Sequence, residues 1–129
     1  MKKILVIGSK PRAVMPILKF DVVITANAAA IRGLEYKKQG SYLICVVGGG
    51  EFKKKIVQEN IKTAKPDEVI ISRRGFPNPA YFIKNTLDLK KTKVVVLNYK
   101  ERFSFMKKVY LAMTADLICH SQININADI

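Results

Sequence analysis

Ile4, Leu5, Val6 and Ile7 follow one another with no polar residue between them, and that unbroken run limits what the chain can become. A strand with one face in water alternates apolar and polar side chains. A run that is apolar at every position suits a strand buried on both faces of a parallel sheet. Similar β-rich runs recur at residues 22–25, 42–47, 69–72 and 93–97. Helical spacings or short crossovers separate them, so the pattern predicts an α/β fold, a Rossmann-like open and mostly parallel sheet of five or six strands with flanking helices. Residues 116–119 open the candidate sixth strand.

With 129 residues, 49% of them hydrophobic, the chain can bury one core, and residues 1–129 read as one domain. No apolar run approaches the roughly 20 residues that span a bilayer. The N-terminus becomes a strand after two lysines, without a small-residue cleavage site, so the reading is a cytoplasmic protein with no membrane span. Cys45 and Cys119 lie in apolar runs, without metal-ligand or C-x-x-C spacing, and read as core thiols.

The charge narrows the partners. Twenty-three Lys and Arg against ten Asp and Glu give a net charge of +13, which admits nucleic acid, anionic lipid surfaces and nucleotide phosphates. The cations are spread as pairs and triplets, as in Lys53-Lys54-Lys55, and that spread reads first as a solvated, lysine-rich surface.

Taken along the chain, Gly8 ends the first strand, Ser9 suits a helix N-cap and Pro11 a first-turn position. Such a turn aims backbone N–H groups at one spot where an anion is favoured, and Lys10 and Arg12 add charge. Residues 13–19 read as a short helical or irregular link. Ala28, Ala29 and Ala30 begin a helical turn that ends near Gly33, with a polar connection over residues 35–40. Gly48, Gly49 and Gly50 close the third strand. From Glu51 the period becomes helical, with Phe52, Ile56 and Ile61 inward, and Pro66 marks the end. Residues 80–87 and 101–113 read as helices, the latter with Phe105, Val109 and Ala112 inward.

Ligands of open α/β sheets bind beyond the carboxyl ends of the strands, where strand order reverses. Gly8, Ser9 and Lys10 fall there, as do Thr25, Asn27, the three glycines, Ser72, Arg73, Arg74 and Asn98. The set is rich in backbone donors, amides and cations, which suits a phosphorylated ligand such as a nucleotide. Asp21, Asp67 and Glu68 precede their strands and belong to the opposite edge. The dinucleotide fingerprint is missing, since Lys10 and Ala13 stand where glycines would, and Asn27 replaces the acidic residue that holds a ribose. No P-loop is present. No metal or cofactor is called for, and no catalytic constellation has a motif context.

A strand running into Gly-x-x-Pro, followed one βα unit later by a strand ending in asparagine, resembles the opening of bacterial sialyltransferases and related enzymes that use CMP-activated sugars. In that family the first loop typically reads Gly-Asn-Gly-Pro-Ser and wraps the nucleotide, and the asparagine contacts the donor. The matching positions are Gly8, Ser9, Lys10, Pro11, Arg12 and Asn27, with Lys10 in place of the second glycine and Arg12 in place of the serine. The likeness covers the first third of the chain. It implies a nucleotide or nucleotide-sugar binding domain of a glycosyltransferase, with a CMP-linked donor and a glycan acceptor, and it allows this chain to be the N-terminal part of a longer enzyme. The family's Ser-Gly donor loop has no recognisable match. His120, the sole histidine, is the candidate for its general base, against a structural role beside an apolar strand.

Two other readings stand beside this one. A basic, non-catalytic α/β module would hold nucleic acid or another polyanion through phosphate contacts and the aromatic residues of 98–110. Alternatively, the apolar side chains of residues 76–82 would form a subunit interface. The sequence leaves the oligomeric state open.

Overall fold

The computed structural model describes residues 2–8, 14–72 and 75–98, together with Ser104, Lys107 and Lys108. Five strands, β1 (Ile4–Ile7), β2 (Val22–Ala26), β3 (Tyr42–Val47), β4 (Glu68–Ser72) and β5 (Lys93–Leu97), form one sheet in the order β1-β2-β3-β4-β5. Every neighbouring pair is parallel. All five apolar runs are therefore strands, with ends within one residue of those expected. The strand proposed at residues 116–119 and the helix proposed at 101–113 lie outside the described residues, apart from the three just named.

The order has a consequence for the layers. Crossovers between parallel strands are right-handed, so four successive steps in one direction put every connection on the same face. The register aligns Ile7, Thr25, Cys45, Val69 and Val94 in a single row. That row belongs to the covered face, where Val23, Leu43, Cys45, Val69 and Ile71 are fully buried against Val57, Ile61, Ile83 and Leu87 of the connections. Strand order does not reverse among the described strands. The expected crevice at a reversal is thus absent from this part of the molecule, and the ligand-facing feature left is the carboxyl edge itself.

Residues 14–20, after β1, take the irregular form that was one of the two expected, with Val14 and Ile17 almost fully exposed. Two later connections differ from expectation, each for a local reason. After β2 the chain makes a 3-10 turn (Asn27–Gly33) that runs straight into α1 (Leu34–Lys38). Gly33 does not stop the helix, because its backbone is right-handed. It is there to pack: a Cβ at this position would lie 2.4 Å from Leu43 Cδ1. The stop falls at Gly40, whose φ of 102° suits glycine.

The second difference concerns the helix after β3. It is two pieces, α2 (Gly49–Phe52) and α3 (Lys55–Ala64), separated by an extended Lys54 at φ −75° and ψ 130°. The break resets the phase, so Val57, Ile61 and Ala64 make the buried stripe, while Ile56 is left 54% exposed. Gln58 Nε2 donates to Phe52 O at 2.8 Å and holds the junction. A left-handed Lys65 and then Pro66 end α3. Beyond β4, α4 (Pro79–Tyr81) widens into a π turn (Phe82–Thr86). Phe76 and Phe82 pack onto Phe52, with ring centroids 4.7 and 5.6 Å from it, while Tyr81 of the same segment stays exposed.

The acidic residues sit at the amino edge, as their place before the strands implies. Asp21 accepts the Lys3 N–H at 2.7 Å, and Asp67 accepts the Leu43 N–H at 2.8 Å. Tyr42 donates its hydroxyl to Glu68 at 3.0 Å. These carboxylates pin β1 to β2 and β3 to β4, which is structural work.

Cys45 is a core thiol, as read from the sequence. Burial pushes its pKa from 9.0 up to about 12, partly offset by the Thr25 hydroxyl, which donates to its sulfur at 3.2 Å. The folded state therefore keeps a proton that the unfolded state loses. Stability from this group is complete below about pH 9 and falls as pH rises toward 12, by up to roughly 1.4 kcal/mol per pH unit. Urea unfolding at pH 8, 10 and 11 should show that loss, and Cys45→Val should remove part of it. Burial also raises the pKa values of Tyr36 and Tyr42, so a residual slope should persist in the variant.

Candidate functional site

Because all five strands point the same way, the residues that follow them share one edge. Gly8 follows β1, Asn27 follows β2, Gly48 follows β3, Ser72 ends β4 and Asn98 follows β5. Three of these segments meet directly. The Asn27 side chain is buried and its Oδ1 accepts the Gly48 N–H at 3.1 Å. The equally buried Ser72 accepts the Gly49 N–H on its Oγ at 2.8 Å. The glycine loop between β3 and α2 is thus clamped from the strand on either side.

Asn27 holds this position through an unusual backbone. Its φ of 51° is left-handed, a region in which asparagine is among the few tolerated side chains. Both residues read as nucleotide contacts therefore have an acceptor oxygen committed to the fold. Ser72 still has a hydroxyl proton to donate. On the outer side of the loop there is room among the described residues, since none of them lies within 4 Å of where a Cβ on Gly48 or Gly50 would be.

Two cations reach this edge that the sequence reading did not single out. Arg32, at the end of the 3-10 turn, donates from Nη1 to Gly8 O at 3.2 Å and so places a guanidinium at the end of β1. Lys53 lies across the loop after β4, its Nζ 3.1 Å from where a Cβ on Gly75 would sit, and Gly75 has a φ of 74°. A side chain at Gly75 would displace it. Lys53 belongs to a lysine triplet that reads as a solvated face, and only the break before α3 separates it from its neighbours. Lys54 pairs instead with Glu51 at 3.0 Å.

Asn98 is exposed at the far end of the edge. Ser9, Lys10, Pro11, Arg12, Arg73, Arg74 and His120 lie outside the described residues. Among the described residues, no group of three His, Cys, Asp or Glu is arranged to hold a metal ion, and no helix is long and apolar enough to cross a membrane.

Fold and edge together define an open, all-parallel α/β domain whose glycine loop is clamped from the strand on either side, with Arg32 at the end of β1 and Lys53 beside Gly75 on the same edge. No family model matches the chain, nor does any curated protein or solved structure.

Proposed function

We propose that this chain binds a nucleotide or nucleotide-sugar through its phosphates at the carboxyl edge, as the nucleotide-binding region of a sialyltransferase-like glycosyltransferase. The observation that carries the reading is the glycine loop, clamped by Asn27 and Ser72, with no described residue over Gly48 and Gly50 and with Arg32 and Lys53 elsewhere along the same edge. A loop already held in place costs little ordering when a ligand arrives. Arginine offers a planar fork and lysine a point charge, the two usual partners of phosphate oxygens. Gly8, Ser9, Lys10 and Pro11 belong to the same reading through the family likeness, and Ser72, Arg73 and Asn98 through their place at strand ends. In a transfer reaction His120 is the candidate to take the proton of an acceptor hydroxyl.

Calorimetric titration with CMP, CDP, UDP, AMP and NAD, at low and moderate salt, tests this. A cytidine nucleotide should bind selectively. Lys53→Ala should weaken it about tenfold, in keeping with roughly 1.5 kcal/mol for a charge-assisted contact, without lowering the melting temperature. If no nucleotide binds, the reading fails. If a random oligonucleotide binds instead and salt abolishes that binding, the chain is the basic polyanion-binding module.

A further inference from the structure

The second face of the sheet has no described element on it. Val6, Ile24, Ile44, Val46, Ile70 and Val95 point to this side, in register across the five strands. None of them belongs to the connected core cluster, which takes from the strands only side chains of the other face, although Ile70 is itself buried. At about 4.8 Å per strand the surface is some 20 Å wide, broader and more apolar than a soluble chain leaves to water. Enclosure is deepest at Ile70 on β4, the neighbour of the last strand.

We propose that residues 101–113 form the missing layer, laying a helical stripe of Phe105, Met106, Val109, Ala112 and Met113 on this face. Four observations favour that occupant. The chain continues for 31 residues past Asn98, at the end of β5. Ser104, Lys107 and Lys108 are helical and exposed, and their i, i+3, i+4 spacing marks one polar side. On the same 100° period Met106, Val109 and Met113 fall on the far side of that helix, with Phe105 and Ala112 at its border. Finally, every described step of the sheet runs one way and fills the first face, so a right-handed crossover turning back from β5 comes down on the second. Thirteen helical residues span about 20 Å, enough to run the length of a five-residue strand. A second copy of the chain is a poorer occupant, because two chains of net charge +13 repel one another.

The test uses the full chain with methyl-labelled Ile, Leu, Val and Ala. Nuclear Overhauser contacts should join Val109 and Ala112 to Ile44, Val46 or Ile70, and should persist when labelled protein is diluted into unlabelled protein. Val109→Asp should raise binding of a hydrophobic dye several-fold and lower the melting temperature, whereas Lys108→Asp should do neither. The proposal is overturned if those contacts are missing, if they arise only between differently labelled chains, or if the two aspartate variants behave alike.

Discussion

Phe52→Ala should be the most damaging single substitution in the described part of the chain, costing about 3–5 kcal/mol. The side chain is completely buried, and its ring meets Phe76 and Phe82 edge-on, while those two rings also meet each other at 5.2 Å. Removing it takes away the apolar burial and leaves a cavity that three different segments would have to close, and aromatic pairs add to the loss beyond area alone. Against a total stability of 5–15 kcal/mol for a domain of this kind, the melting temperature should fall by more than about 10 °C. Ile56→Ala, four residues on, is the matched control. On an unbroken helix from Glu51 both residues would face the core and both changes would be costly. With the break at Lys54, Ile56 faces water and its loss should stay within about 0.5 kcal/mol. Equal losses in the two variants would contradict the break. The cluster also ties α2 to the loop after β4, so Phe52→Ala should loosen the glycine loop and weaken the proposed nucleotide binding along with stability.

The sheet was the most legible part of this chain, because each strand carries at least three consecutive apolar residues. The helices were less so. A hydrophobic period cannot reveal a one-residue interruption such as Lys54, which is held by a Gln58 side chain reaching back to Phe52 O. Nor does composition distinguish a glycine that ends a helix from one, such as Gly33, that lets a helix approach Leu43. The site shows the same division. Strand-end polarity correctly placed Asn27 and Ser72 at the carboxyl edge, since a parallel sheet gathers all strand ends there. What each oxygen bonds to depends on the position of a loop from another part of the chain, and that information is absent from the local pattern. Arg32 and Lys53 were missed for the same reason: their relevance comes from Gly8 and Gly75, distant in sequence.

Asn27 is where fold and function are hardest to separate, and a short series of substitutions separates them. Asn27→Ala removes the acceptor of the Gly48 N–H and forces a Cβ-bearing residue with no local hydrogen bond into the left-handed region. The first loss costs about 1–3 kcal/mol and the second about 1–2 kcal/mol. Asn27→Gly should incur only the first, because glycine adopts that backbone freely, so it should be about 1 kcal/mol more stable than the alanine variant. Asn27→Asp keeps an oxygen for Gly48 and should be the most stable of the three. Chemical denaturation gives the order, and an alanine variant as stable as the native protein would refute the clamp. The same three proteins then decide what a loss of nucleotide binding means. A loop that has lost its clamp binds poorly in the alanine and glycine variants alike, whether or not Asn27 touches the ligand. The aspartate variant holds the loop but brings a negative charge, which repels phosphate when the side chain faces it. Native-like stability with nucleotide binding lost in Asn27→Asp would therefore place this side chain against the ligand, whereas retained binding would confine Asn27 to holding the loop that meets it.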